Sequence, residues 1–344
     1  MTRATRRDAA GATALGALAP WQDVLAQAVA EQVKIFYGFP AGSSGDTVAR
    51  RVGEKFAGTA FARNAAVVEN KPGAGGRIAL ESLKGAPADG SHLAVAPVSS
   101  VANYQFIYKK MAYTPADFIP VAVGAIIHHG LAVGPLVPDS VKTVKQFLDW
   151  AKANPTLANY GSPGAGSTPH FLGALLGINS GVALNHIPYK GSVPGVTDVV
   201  GGQIAAMVTP HGDFLANHKS GKMRILATSG AKRSPFVPEV PTFAEQGFGE
   251  LTVDEWFSIF APARTPAHIV AAANAAINVA VKDKSVIDSL AVVGLVARGS
   301  TPEELGQSLR EQYAKAGPAY KPPVLDPLQT ATDRIETIIF GMVL

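Results

Sequence analysis

Short apolar runs alternate with amphipathic stretches along most of the chain. Residues 33–39 form an apolar run rich in β-forming residues that ends in a Pro-Ala-Gly turn, which predicts a buried strand. In the next stretch Val48, Val52 and Phe56 recur every four residues with charged residues between them, which is one face of a helix. A strand, a glycine-rich turn and a helix in this order are typical of a parallel sheet covered by helices.

The same unit recurs in two series, one before and one after Pro120. The first series has further strands predicted at 67–69 and 92–98, with a helix at 77–83. The second series has predicted strands at 122–127, 131–133, 157–160, 186–188, 205–208, 224–228 and 256–261, and predicted helices at 144–153, 169–176, 193–200, 267–281 and 301–314. A chain of 344 residues with two such series predicts two domains of the α/β class.

The composition supports two packed cores and excludes several classes of function. Apolar residues make up 47% of the chain and charged residues 16%, which does not fit a disordered protein. The formal net charge is only +4, and no run of Lys and Arg with interleaved aromatic residues indicates nucleic-acid binding. Because the sequence contains no cysteine, it has no disulfide, no cysteine-containing zinc site and no thiol nucleophile.

The first 28 residues have the pattern of an export signal. Arg3, Arg6 and Arg7 precede a weakly apolar stretch at 9–19, and an Ala-Gln-Ala sequence follows at 26–28. This order predicts a cleaved signal peptide, and the arginine pair resembles a twin-arginine signal. The alternative is an amphipathic N-terminal helix. No later stretch reaches the roughly 20 consecutive apolar residues of a membrane span, so the sequence predicts a protein that is soluble outside the cytoplasm after cleavage.

Two glycine-rich turns, at 39–46 and 160–168, each join a predicted strand to a predicted helix. The start of a helix has backbone N–H groups without partners and a partial positive charge, and glycine lets an anion approach them closely. Serine and threonine hydroxyls in both turns add donors. One such turn in each half of the chain could hold a carboxylate between two lobes. The alternative is that the glycines only allow tight chain reversal. Asp46 fits a helix cap better than a ligand contact.

Other kinds of site are excluded because their sequence motif lacks a required residue or because a required partner residue is absent. Residues 161–166 have the spacing of a phosphate loop, but Ser167 stands where that motif needs lysine. Residues 73–78 lack the last glycine of the dinucleotide-binding motif. No nucleophile elbow or His-Glu-x-x-His sequence occurs. His211 and His218 lie seven residues apart without a third metal ligand and are expected on the surface.

Seven motifs, in order along the chain, together resemble those of one family. They are Phe39-Pro40-Ala41-Gly42 with Asp46, Ala49 and Arg50; residues 69–76; Tyr160-Gly161-Ser162 with Gly166, Ser167 and His170; residues 188–191; residues 201–203; residues 220–222 with 226–229; and residues 238–242. This set, spread over residues 33–316, resembles the Bug family, the periplasmic receptors of tripartite tricarboxylate transporters.

The resemblance implies a flytrap-like, two-lobed periplasmic binding protein in which each lobe is a mainly parallel sheet flanked by helices. It places residues 29–128 and 258–317 in the first lobe and 129–257 in the second. Residues 1–28 are then the signal peptide and 318–344 an atypical tail that differs from the helix usual in relatives. Segments 122–133 and 257–261 are the expected hinges.

The implied ligands are small carboxylates, among them citrate-like acids, dicarboxylates, aromatic acids, nicotinate and acidic amino acids. The resemblance implies no cofactor, no metal and no catalytic residue; it implies a monomer that meets integral-membrane transporter subunits. The implied ligand-binding residues are Ala41, Gly42, Ser43 and Ser44 in the first turn; Ser162, Gly166, Ser167, Thr168 and His170 in the second; Ser99 and Ser100 after the third strand; and Tyr189, Thr209 and Asp213 in the second lobe.

Two departures from the family concern the ligand. Many relatives have glycine pairs at the positions of Ser43 and Ser44, so the first turn here has more hydroxyl donors. Some relatives place Asp or Asn near Thr209, which favours a ligand with an amine, and Asp213 is close enough to substitute. His170 could donate to a bound carboxylate or bond a loop carbonyl. The leading function is a transport receptor, and the alternatives are a receptor that feeds a two-component signalling system and an enzyme that acts on carboxylates.

Overall fold

A computed structural model describes residues 29–253 and 255–319, whose strands form two sheets. The predicted signal peptide and the predicted tail beyond Ala319 lie outside these residues. The strands of the first sheet are β1 (Lys34–Tyr37), β2 (Val67–Asn70), β3 (His92–Pro97), β4 (Phe118–Ile127), β10 (Glu255–Pro262) and β11 (Val296–Ala297). Those of the second are β5 (His129–Val133), β6 (Asn159–Ser162), β7 (Asn185–Pro188), β8 (Ala206–Pro210) and β9 (Arg224–Thr228).

Helices flank both sheets. They are α1 (Ser44–Glu54), α2 (Arg77–Lys84), α3 (Val98–Ala102), α4 (Tyr104–Ile107), α5 (Val144–Ala153), α6 (Thr168–Ser180), α7 (Ser192–Val200), α8 (Leu215–Lys219), α9 (Ala267–Ala280), α10 (Lys284–Val292) and α11 (Pro302–Ala319). The α/β class and the alternation of strands and helices are therefore confirmed. The last helix extends beyond its predicted end at 314.

Most strands of each sheet run in one direction, and each sheet has one antiparallel strand inside it. In the first sheet the short edge strand β11 is also antiparallel to its neighbour β4. The first sheet has the order β11-β4-β10-β3-β1-β2, in which β10 runs antiparallel to both β3 and β4. The second has the order β7-β6-β8-β5-β9, in which β5 runs antiparallel to both β8 and β9. The parallel neighbours β1, β2 and β3, and likewise β6, β7 and β8, end in the turns that lead toward the helices.

Apolar side chains cover both faces of each sheet. Along β1, Ile35 and Tyr37 join one buried cluster while Phe36 joins another. In β5, Leu131 and Ala132 point into different clusters in the same way. Because successive side chains of a strand point to opposite faces, each sheet has helices packed on both sides. We refer to the unit around the first sheet as lobe 1 and the unit around the second as lobe 2.

The chain crosses between the lobes at two adjacent places. Only His128 separates the end of β4 from the start of β5. The return crossing precedes β10, whose first residue Glu255 pairs with Ile127 at the end of β4. The two crossings therefore lie side by side. The first lies within the predicted hinge segment 122–133, whereas the second precedes the predicted segment 257–261, which lies inside β10.

Candidate ligand-binding site between the two lobes

A cavity lies where the two lobes meet, and residues of both lobes line it. The empty space between its atoms, counted together with solvent at its open side, is about 440 Å³. Its walls combine aromatic rings with hydroxyl groups and two acidic side chains. The polar lining consists of Tyr37, Ser43, Ser44, Ser99, Tyr104, His129, Ser167, Thr168, Ser192, Thr209, Asp213 and Glu255.

The starts of α1 and α6 both contribute to this lining. Ser43 is the residue before α1, and its hydroxyl donates to the Pro40 carbonyl at 2.9 Å. Ser167 is the residue before α6, where its hydroxyl caps the helix by accepting from the His170 N–H. The first N–H groups of a helix have no partners within the helix and lie at the positive end of its dipole. Both lobes therefore contribute a helix start to the cavity wall, and lobe 2 also contributes Ser192, the first residue of α7.

Asp213 of lobe 2 contacts the start of α1 in lobe 1. It lies in a short 3₁₀ turn (His211–Phe214) that follows β8 directly. Its Oδ1 accepts from the Ser44 N–H at 2.8 Å, and its Oδ2 accepts from the Thr209 hydroxyl at 3.1 Å. Desolvation raises the pKa of the Asp213 carboxyl, and hydrogen bonds from Ser192, Ser44 and Thr209 oppose that rise. The Asp213 carboxylate therefore accepts the hydrogen bond of the Ser44 N–H, which is the first backbone N–H of α1.

A second acidic group, Glu255, pairs with His129 at the two chain crossings. The Nε2 of His129 lies 2.5 Å from the Oε2 of Glu255, and both side chains are buried. The Ser99 hydroxyl of lobe 1 donates to Glu255, and Thr168 of lobe 2 also hydrogen-bonds it. Burial opposes ionisation, but these hydrogen bonds and the His129 ring keep the pKa of Glu255 below its ordinary value.

Sequence reasoning missed both members of this pair. A signal existed in the sequence, because a charged residue and a histidine stand immediately beside apolar strand runs at 256–261 and 122–127. A charged group at such a position is rarely buried without a partner. The partner itself lies 126 residues away along the chain, so spacing alone does not reveal it.

Seven of the predicted ligand-binding residues line the cavity. They are Ser43, Ser44, Ser99, Ser167, Thr168, Thr209 and Asp213. Ser99 lines the cavity from α3. It does not lie at the end of β3, which finishes at Pro97.

The other seven are not among its lining residues, namely Ala41, Gly42, Ser100, Ser162, Gly166, His170 and Tyr189. Most of these have partners within their own lobe. Gly42 donates its N–H to Asp46, which also pairs with Arg50 and so stabilises the first turn. The Tyr189 hydroxyl donates to Asp198, and the Ser100 carbonyl accepts from Tyr113.

His170 contacts the second glycine-rich turn from inside lobe 2. Its Nδ1 accepts from the Gly166 N–H at 3.0 Å, and its ring stacks on His186 with 3.9 Å between centroids. His186 in turn lies 2.7 Å from the Ser162 hydroxyl. Burial lowers the pKa of His170 to about 4, so the ring is neutral and accepts a hydrogen bond from the turn.

The prediction that His211 lies on the surface is wrong. His211 is buried, with its Nδ1 2.8 Å from the His128 carbonyl and its Nε2 2.8 Å from the Ser234 hydroxyl. The reason is that β8 continues directly into the turn containing His211, which packs against the chain crossing. The described residues contain no group of three or more His, Cys, Asp or Glu side chains placed to hold a metal ion.

Comparisons with known proteins identify similar sequences over most of the chain. The profile described as "Tripartite tricarboxylate transporter family receptor" matches residues 48–322. Protein BugT of Bordetella pertussis is 31% identical over 279 residues, covering 80% of this chain and 84% of that protein. A protein encoded in the tcbD-tcbE intergenic region of a Pseudomonas species is 32% identical over 279 residues, covering 80% and 81%.

Solved structures of similar proteins share the architecture. The periplasmic binding protein BugD has 26% identity and a TM-score of 0.77, covering 83% of this chain and 94% of its own. MatC from Rhodopseudomonas palustris with bound malate has 27% identity and a TM-score of 0.75, covering 83% and 97%. A second R. palustris protein with adipate has 28% identity and a TM-score of 0.77, covering 83% and 94%. These similarities confirm the two-lobed binding-protein fold.

Proposed function

Because the chain belongs to the tripartite tricarboxylate transporter receptor family, we propose that it binds a small carboxylate-bearing solute between its lobes and delivers it to membrane subunits of such a transporter. The family consists of periplasmic solute-binding receptors, so the chain is a receptor rather than an enzyme. The solute class, the delivery step and action as a monomer belong to the proposal.

The observation that carries the proposal is the start of α6 in the cavity wall. Thr168 is the first residue of this helix and lines the cavity beside the capping residue Ser167. Its N–H has no partner within the helix, and a carboxylate is the natural acceptor for such a group. Malate in MatC and adipate in the second R. palustris protein make carboxylic acids the first solutes to consider.

The periplasmic location of this chain rests on the family and on the signal-like pattern at 1–28. None of the helices in the described ranges combines the length and the apolar character that a membrane crossing needs. Delivery to a transporter is tested by uptake of a radiolabelled acid into cells with and without the receptor. Loss of uptake without the receptor supports delivery, and unchanged uptake contradicts it.

A binding experiment tests the site through one backbone group. Thr168→Pro removes the first N–H of α6, and proline is well tolerated at this helix position. The preceding residue, Ser167, has φ −75° and ψ 158°, which also suits a residue before proline. We expect calorimetric affinity for the best-bound organic acid to fall about tenfold or more, the usual effect of losing a charged hydrogen bond.

Thr168→Ala is the matched control, because it removes the hydroxyl but keeps the N–H. The acid is chosen by thermal shift of the purified protein, since a ligand that binds only the folded state raises its melting temperature. If Thr168→Pro binds as well as Thr168→Ala, the carboxylate does not lie at the start of α6. If no organic acid in the panel binds, the proposed solute class is wrong.

A further inference from the structure

A second groove adjoins the interlobe cavity, and three residues, Ser99, Thr168 and Glu255, line both spaces. The empty space in the groove, counted together with solvent at its open side, is about 960 Å³. One of its walls is the face of α11 that carries Ser308 and Gln312. Because α11 contributes no lining residue to the cavity, the groove is a separate space with its own set of side chains.

Both lobes contribute to this groove, which lies beside the second chain crossing. Lobe 1 supplies α3, α11 and Trp256, the second residue of β10. Lobe 2 supplies Thr168 at the start of α6 together with Thr252 and Val253, the last of which packs against the core of that lobe. A molecule bound in the groove would therefore contact both lobes.

The charged groups that line the groove are acidic. Glu255 and Glu311 are among its lining residues, and the part of it that the structure describes has no lysine, arginine or histidine. Glu255 is already hydrogen-bonded by His129 and Ser99, and Glu311 at the exposed side accepts from the Gln307 amide at 2.9 Å. An anion would meet two carboxylates and no positive side chain, so this lining disfavours anionic solutes.

The groove wall also contains a hydrogen-bond donor that has no acceptor. The indole N–H of Trp256 is buried and forms no hydrogen bond to any described residue. A buried donor left without a partner is costly, so it favours a ligand atom that accepts from it. A protonated amine has only donors and cannot supply this acceptor. The site therefore suits a neutral group that accepts at the indole and donates to the acidic side chains.

Hydroxyl groups meet both requirements without a charge, because each can donate one hydrogen bond and accept others. The rest of the lining consists mostly of the same kind of neutral partner, including the hydroxyls of Thr252 and Ser308 and the amides of Asn103 and Gln312. We propose that the groove binds a small neutral polyol or sugar, with one hydroxyl accepting from the Trp256 indole and others donating to Glu311. This site is additional to the proposed carboxylate site.

Calorimetry on the purified full chain tests the ligand class. The neutral probes are glucose, galactose, ribose and myo-inositol, and the cationic probe is 1,4-diaminobutane, which has donors but no acceptor when protonated. We expect at least one neutral probe to bind, and its affinity to be about tenfold or more higher than that of the diamine.

Trp256→Phe tests the residue, because phenylalanine keeps an aromatic ring but has no N–H. We expect the affinity for the best-bound neutral probe to fall about threefold to tenfold, the effect of losing one neutral hydrogen bond. Trp150→Phe is the matched control, since Trp150 is a partly buried tryptophan that packs against the core of lobe 2 and lines neither space. We expect it to bind the probe as the native protein does.

Two further variants locate the bound probe. Ser308→Phe places a ring in the groove from α11 and is expected to abolish binding, which keeps the test available if Trp256→Phe does not fold. Tyr37→Phe removes a hydroxyl from the interlobe cavity and is expected to leave the affinity for the probe unchanged. Melting temperatures of the ligand-free variants show which of them are folded.

Three results would overturn the inference and leave the proposed carboxylate receptor standing. The first is that no neutral probe binds. The second is that Tyr37→Phe weakens the binding of the neutral probe and Ser308→Phe does not, which would place the probe in the interlobe cavity. The third is that the diamine binds more tightly than every neutral probe and loses its binding in Ser308→Phe, which would show that the groove takes cations.

Discussion

At the scale of single residues, the molecule holds several titratable side chains that are partly or wholly shielded from water. The stacked rings of His170 and His186 in lobe 2 are partly buried, and desolvation lowers their pKa values to about 4 and about 3. Both are therefore neutral in the folded protein near pH 7. Their role is to accept or share hydrogen bonds within the glycine-rich turn and its neighbouring strand, which fixes the start of α6.

This burial predicts a loss of stability in mild acid. In the unfolded chain a histidine binds a proton below about pH 6.5. In the folded protein His170 binds one only below about pH 4. The unfolded state thus holds more protons in this window, and the free energy of unfolding falls as the pH falls from about 6.5 toward 4. We expect His186→Gln to show a flatter decline in urea-unfolding measurements between pH 7 and pH 5. An identical slope in the variant would contradict the assignment.

At the scale of elements, the sequence predicted the two helix starts because the residues that form each of them are adjacent in the chain. The turns before α1 and α6 combine glycine with hydroxyl-bearing residues between a predicted strand and a predicted helix, and both starts line the cavity. The sequence did not predict the contacts that Asp213 and Glu255 form with distant residues. The hydrogen bond from Ser44 to Asp213 joins residues 169 positions apart, and its geometry depends on how the two sheets are placed relative to each other.

The capping residue of α6 gives a test of how far this element is stabilised locally. Ser167→Ala removes the hydroxyl that accepts from the His170 N–H, and we expect it to destabilise the protein by about 1 kcal/mol. Ser167→Asn is the control, because asparagine caps a helix as well as serine does. Thermal unfolding of the two variants checks this, and equal melting temperatures would show that the cap contributes nothing.

At the scale of the whole molecule, glycines let the lobes approach closely at the rim of the cavity. A methyl group at Gly164 of lobe 2 would lie 3.0 Å from the Cα of Gly75 in lobe 1. One at Gly191 would lie 2.1 Å from the Pro40 ring. The hydroxyl of Tyr108 in lobe 1 also donates to the Ala165 carbonyl of lobe 2. At Gly164 and Gly191 the backbone of lobe 2 therefore lies directly against lobe 1, with little room for an added side chain at either position.

Gly164→Ala is expected to strain the contact between the lobes, because its methyl group would lie 3.0 Å from the Gly75 Cα and backbone moves aside less readily than a flexible side chain. We expect weaker solute binding in calorimetry. Gly249→Ala is the control, since a methyl group there has no atom within 4 Å and lies in the same lobe. An affinity equal to that of the control would show that the contact tolerates the methyl group.

The side-by-side crossings constrain how the lobes can move at all. Two separate bodies have six degrees of freedom, three of translation and three of rotation. The single residue His128 between β4 and β5 leaves almost no length for translation, and the pairing of Glu255 with Ile127 binds the second crossing to the first. Sliding and twisting would break that pairing, whereas bending about a line through both crossings would not. We therefore expect the lobes to move mainly by bending about this line, which would open and close the cavity.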